Sequence, residues 1–361
     1  MRKNLFATTP GIIIVGAVIG LIAVWLQKLG NPANMGICVA CFERDVAGGL
    51  GLHRAAIVQY LRPEIMGLVL GSLAAAIATR EFKPRGGSAP IVRFVLGMIA
   101  AMGALVFLGC PWRAILRLAG GDGNAILGLA GLATGIWFGT LFFKKGYSLG
   151  RSNSQSVVSG ALFPVIAVCL LLLYLIFPQL PDQPQSGPLF YSVKGPGSQH
   201  APFIASLGLA FIIGIFAQRS RFCTMGAFRD LFLFRYTHLF LGLAAMFAAA
   251  FIANALTGGL KFGFEGQPVA HSDFLWNYLG MVTAGLAFAL AGGCPGRQLF
   301  MAGEGDSDAG IFALGMLVGA AMAHNLGTAS SGTGIGVYGM QATIIGFAVC
   351  LIIGFVHSKK A

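Results

Sequence analysis

The sequence has little charge. Of its 361 residues only 10% are Asp, Glu, Lys or Arg and 56% are hydrophobic, whereas soluble globular chains carry about 25% charged residues. That deficit argues against a water-soluble fold. Acidic residues are scarcer than basic ones, 12 against 24, giving a net charge of +12. The Lys and Arg residues are scattered at the ends of apolar runs and form no basic stripe, which argues against nucleic acid as a partner. Alternation of apolar and polar residues is also lacking, so a membrane β-barrel is disfavoured. The first apolar run, Gly11 to Leu26, follows Arg2 and Lys3 as in a signal peptide, but no A-x-A cleavage site follows it; a retained first helix is expected. No G-x-x-x-x-G-K, paired carboxylates or G-x-S-x-G points to ATP hydrolysis or acyl transfer.

What is present is a series of long apolar runs, reflected in a mean hydropathy of +0.79. About 18 or more such residues cross the hydrocarbon core as a helix. Ten spans are expected, at 11–29, 63–79, 91–108, 124–143, 157–178, 203–217, 238–256, 274–291, 308–326 and 336–356. The 53 glycines fit helices that pack closely without a hydrophobic drive between them. The expected fold class is therefore an all-α polytopic membrane protein.

The two groups of five spans repeat one another. Cys38 to Asp45 matches Cys223 to Asp230 at an offset of 185 (223 − 38), and Leu108-Gly-Cys110-Pro111-Trp-Arg113 matches Gly292-Gly-Cys294-Pro295-Gly-Arg297 at 184 (294 − 110). The expected layout is a first repeat at 1–178, a Pro-, Gly- and Ser-rich linker at 179–202 and a second repeat at 203–361. An odd number of spans per half makes the repeats inverted. With the N-terminus inside, the outer segments hold eight basic residues, Lys28, Arg44, Arg54, Arg62, Arg113, Arg117, Lys194 and Lys261, leaving sixteen of the 24 inside. That bias places both termini in the cytoplasm. Four of the eight, Lys28, Arg44, Arg54 and Arg62, lie in or beside the motif segment after the first span, where charge serves chemistry as much as topology.

Four short segments, each with a Cys followed by an Arg, read as re-entrant or broken helices, tolerated at membrane depth only when buried in protein or lining a cavity. Proline favours the first helical position, which puts Cys110 and Cys294 at N-caps, facing free backbone N–H groups and the positive end of a helix dipole. Arg113 and Arg297, three residues on, add fixed positive charge suited to an anion with several oxygens. The alternative is a tight bend with a snorkelling arginine. Cys38 and Cys223 each precede an Arg by six residues (44 − 38, 229 − 223) and an Asp by seven. Arg44 with Asp45 and Arg229 with Asp230 read first as structural pairs, because an unpaired charge in the membrane is costly, and second as substrate contacts. Cys38 and Cys41 form a C-x-x-C, but zinc would need two more ligands and a thioredoxin-like site a soluble βαβ context. No metal or cofactor is expected. Cys169 and Cys350 read as packing residues, and His324 as a satisfied core histidine.

The Gly-Cys-Pro segments and the duplicated layout resemble the YeeE/YedE family of membrane proteins, whose best understood members take up thiosulfate. Gly30 to Asp45, with Asn31-Pro32-Ala33-Asn34-Met35-Gly36 ahead of Cys38, is similar to a YedE subgroup associated with selenium metabolism. The resemblance implies an hourglass-shaped bundle with short helices meeting near the midplane, and makes Cys38, Cys110 and Cys294 the motif cysteines. Cys223 is added by the repeat. Cys41 departs from the simplest motif and would either hold a softer selenium species or form a disulfide with Cys38. The implied function is not enzymatic: uptake of a small sulfur or selenium anion across a bacterial inner membrane along a file of cysteines. Its partners are that anion, the lipid bilayer and, as a candidate receiver, a cytoplasmic sulfur or selenium carrier protein. The competing expectation is a membrane thiol-disulfide oxidoreductase using Cys38 and Cys41.

Overall fold

The computed structural model of the chain describes residues 5–179 and 187–358. Arg2, Lys3, Lys359 and Lys360, counted above for orientation, lie outside the described residues, as does 180–186 of the expected linker. The first half forms α1 (Thr9–Lys28), α2 (Val39–Gly49), α3 (Pro63–Ala78), α4 (Pro90–Phe107), α5 (Pro111–Ala119), α6 (Asn124–Lys144) and α7 (Val157–Ile176). The second forms α8 (Phe203–Ser220), α9 (Thr224–Phe234), α10 (His238–Leu256), α11 (Phe274–Ala291), α12 (Pro295–Gly303), α13 (Ser307–Asn325) and α14 (Gly339–Val356). Among the described residues the only sheet is a two-residue pairing of Arg85–Gly86 with Asn153–Ser154. The chain is an all-α polytopic membrane protein.

Each of the ten expected spans falls on a helix, but α3 differs from the rest. Its 16 residues span about 24 Å at 1.5 Å per residue, short of the roughly 30 Å of hydrocarbon. Nine other helical stretches among the described residues are long and apolar enough to cross, with α4–α5, α8–α9 and α11–α12 each running on as one stretch. The shortness of α3 has a local cause. It opens on Arg62, Pro63 and Glu64, all buried, with Glu64 accepting from Asn31 Nδ2 at 2.8 Å and Ser206 Oγ at 3.0 Å. Its polar start is thus held inside protein, as membrane depth demands, although Glu64 Oε2 has no hydrogen-bond partner among the described residues.

The largest helix interfaces pair α1 with α10, α3 with α8, α4 with α13 and α6 with α11. Exchanging α1–α7 for α8–α14, helix by helix, turns each pair into another of the four. Small residues set these approaches. A Cβ on Gly16 would lie 1.9 Å from the Gly242 carbonyl oxygen, and one on Gly131 would lie 2.1 Å from that of Tyr278. The interior is built from α2, α4, α5, α11 and α12, whereas α7 fully buries only Gly160, Pro164 and Ala167 and packs a further stripe, Phe163 and Tyr174 among it, partly against the core.

The second part of the expected linker is folded. Phe190 N donates to Gly49 O at 2.9 Å, Ser192 N to Gln59 O at 2.8 Å and Gly197 N to Ile57 O at 2.8 Å. Arg62 donates to the carbonyls of Gln199 and Pro196, and His200 stacks on Tyr60 at 4.2 Å. These bonds lay residues 187–202 over the end of α2.

Candidate functional site

Each of the four motif segments begins where a long helix is stopped in the same way. The N–H five residues on closes back on the last turn, from Asn31 to Leu26 O, Gly109 to Ala104 O, Phe222 to Ala217 O and Gly293 to Phe288 O, at 2.8 to 3.0 Å. The residue before each donor has positive φ: Gly30, Leu108, Arg221 and Gly292. This is the Schellman stop, which turns the chain out of the helix while satisfying its last carbonyls. A short helix then starts, and in every case its N-cap is a cysteine: Cys38 for α2, Cys110 for α5, Cys223 for α9 and Cys294 for α12. Cys38 Sγ accepts from Cys41 N at 3.4 Å and Cys223 Sγ from Gly226 N at 3.2 Å. Cys110 and Cys294 make no such cap bond.

The caps meet in two groups. In the first, Cys38 Sγ also accepts from Cys110 N at 3.5 Å, and its thiol interacts with the thiols of Cys110 and Cys41. In the second, the Cys223 thiol interacts with the thiol and the backbone of Cys294. All five are buried, Cys223 the least so at 6% exposed. Cys38 and Cys41 are free thiols, as is every cysteine of the chain. Cys350 is buried, but Cys169 is exposed on α7, correcting the packing role expected for it: α7 has no neighbour on that side.

The arginines divide by partner. Asp45 accepts from Arg44 at 2.7 Å and from Arg62 at 2.7 Å, with all three side chains at most 2% exposed. Arg117 pairs with Asp122 at 2.6 Å, both fully buried. Arg229 pairs with Asp230 at 2.8 Å in a more open setting, and Arg297 with Glu304 at 3.1 Å. Arg113 is fully buried and has no carboxylate partner among the described residues. It donates to the carbonyls of Asn34, Leu108, Pro268 and Val269, and its Nη1 lies 3.6 Å from Cys41 Sγ. The burial of Arg44, Arg62, Arg113 and Arg117 removes four of the eight outer charges from the solvent-facing flanks.

On the second group's side, Glu304 is 1% exposed and gathers Arg85, Arg221 and Arg297. Glu81 joins through Arg219 and Arg221. Burial alone would raise the Glu81 carboxyl, but the Gln218 amide and the two guanidiniums hold it below the usual range.

Sequence reasoning missed Glu304, Trp112 and the partners of Arg62 and Arg117. Arg62 carried a signal in hindsight, a charged Arg-Pro-Glu opening on a membrane helix. The others lacked one, since their roles arise from what folds against them. His324 is not the satisfied histidine expected: its ring packs on His53 at 4.6 Å, and its Nε2 has no hydrogen-bond partner. Among the described residues no three His, Cys, Asp or Glu side chains are grouped to hold a metal.

Residues 219–354 match the family described as sulphur transport. The chain is also similar to the thiosulfate transporter TsuA of Spirochaeta thermophila, 32% identical over 106 residues, which is 29% of this chain and 32% of that relative. The match therefore spans about a third of the relative's length. With the Gly-Cys-Pro segments of both halves, these likenesses make the chain similar to the YeeE/YedE family of membrane proteins over the matched stretches.

Proposed function

We propose that the protein takes up a small sulfur- or selenium-containing anion across a bacterial inner membrane, passing it between the two cysteine groups. Arg113 carries this reading. An isolated buried cation is very costly, and Arg113 lies in the thiol group with only carbonyls and Cys41 around it. An anion held there would neutralise it. The oxygens would take the guanidinium and the free N–H groups of the short helices, while a large, polarisable sulfur or selenium atom would accept weak S–H bonds from Cys38, Cys41 and Cys110. Several weak sites in file let an ion enter without trapping it. The likeness to a thiosulfate transporter supports thiosulfate as one substrate, and the third thiol, Cys41, favours a softer selenium anion as another.

In this reading the halves are inverted repeats with both termini cytoplasmic. The Cys38 group then opens to the outside, and the Cys223 group delivers to the cytoplasm, where a carrier protein would receive the atom. The sulphur-transport match favours transport over the thiol oxidoreductase alternative.

Uptake of radiolabelled thiosulfate and selenite by proteoliposomes tests the reading. Wild-type protein should transport at least one of them and resist competition by sulfate, which offers four hard oxygens and no exposed sulfur. Arg113→Gln should reduce uptake by about a hundredfold, the scale of one buried charge-assisted contact. Strong sulfate competition, or full activity of Arg113→Gln, would overturn it.

A further inference from the structure

We infer that Trp112 is the gate between the two thiol groups and that its indole N–H hands the anion from one to the other; this rests on the transport reading above. Trp112 follows Cys110 by two residues, on the first turn of α5. It is the largest fully buried side chain, 1% exposed, and among the described residues its Nε1 finds no hydrogen-bond partner. A buried indole N–H normally has one, and an unmet donor in the interior is costly unless a ligand meets it.

The ring's position says which ligand. A Cβ placed on Gly296 would lie 3.2 Å from Cζ2 and 3.4 Å from Cε2 of Trp112. The benzo edge of the ring therefore lies against the start of α12, two residues past Cys294. The ring also meets Phe222 edge-on at 5.7 Å, next to Cys223, and Phe300 at 5.9 Å. Trp112 thus begins at one thiol group and ends against the other.

Positions 112 and 296 correspond in the internal match (296 − 112 = 184). The same position from each half therefore meets its counterpart, and the space admits one large ring only because the other half has glycine. Two tryptophans would collide; two glycines would leave an open hole. One ring against one glycine fills the space between the halves and leaves a neutral, unpartnered donor there. A neutral donor suits a transfer point, because a second buried cation beside Arg113 would trap the anion.

The test uses the full chain in proteoliposomes and detergent. Trp112→Phe keeps a smaller aromatic ring and removes the N–H. It should lower the maximal rate of thiosulfate or selenite uptake about tenfold or more, with KM changed less and thermal unfolding near wild type. A second measurement keeps Trp112 and replaces Trp25, Trp137 and Trp276 with Phe, so that emission reports this ring alone; thiosulfate should shift or quench it, and sulfate should not. Wild-type uptake with an unimpaired Trp112→Phe rate, or with an unresponsive Trp112 emission, overturns the gate and leaves the transport reading intact. Absence of uptake by wild type removes both.

Discussion

The two thiol groups stand on matching helices yet sit in different surroundings. In the first, all eleven residues of α2 are buried, and Arg44 is 2% exposed. In the second, only Thr224, Met225, Gly226 and Ala227 of α9 are buried, and Arg229 is 37% exposed. The difference lies in what folds over each helix. Residues 187–202 close on the end of α2, whereas the far half of α9 runs outward to Phe234, 71% exposed. Similar sequence therefore yields a fully buried helix beside one thiol group and a partly exposed one beside the other.

The strongest way to break the comparison is through the caps themselves. Cys110→Ala and Cys294→Ala should each abolish uptake while folding stays near normal, since one small thiol leaves little cavity. Cys169→Ala and Cys350→Ala should be nearly silent, and equal loss from Cys169→Ala in the same uptake assay would show that packing, not the caps, is being measured.

The next largest contrast concerns the paired charges. Asp45→Asn leaves Arg44 and Arg62 buried without a counter-charge and should cost about 3–5 kcal/mol, read as a large drop in thermal stability in detergent. Asp230→Asn, in the half-exposed pair, should cost about 1 kcal/mol or less. Similar losses at the two positions would mean that the two pairs do not differ in effective burial.

Reactivity gives a finer test. Because Cys223 is 6% exposed and Cys38 0%, a small water-soluble thiol reagent should modify a chain retaining only Cys223 faster than one retaining only Cys38. The reverse order would place the open side in the first half.

The smallest effect concerns the helix stops. The first half has Leu108 at φ 63° where the second has Gly292 at φ 87°. Gly292→Leu, which imports the first-half residue, should cost about 1–2 kcal/mol from the left-handed backbone alone, because nothing lies within 4 Å of the added Cβ. No measurable loss of thermal stability would show that the second stop is relaxed.

Much of this was legible in the sequence. Apolar length fixed where the long helices run, because hydrocarbon allows backbone polar groups no other solution. Proline after cysteine placed Cys110 and Cys294 at helix starts, because proline has no N–H to lose there. The spacing of Arg44 from Asp45 and of Arg229 from Asp230 forecast their pairing. Arg62 joining Asp45, Glu304 gathering three arginines and Trp112 lying against Gly296 were not legible. Each joins residues far apart in the chain, and no local preference records which helix will face which. The exposure of Cys169 was missed for the same reason, since an apolar helix facing lipid and one facing protein have the same composition. The sequence by itself determined the number and kind of helices and the caps at Cys110 and Cys294, through transfer energy and backbone geometry. Only the tertiary structure decided which caps meet, which arginine stays without a carboxylate and which half is closed, because these depend on the packing of small residues between helices that hydrophobicity cannot order.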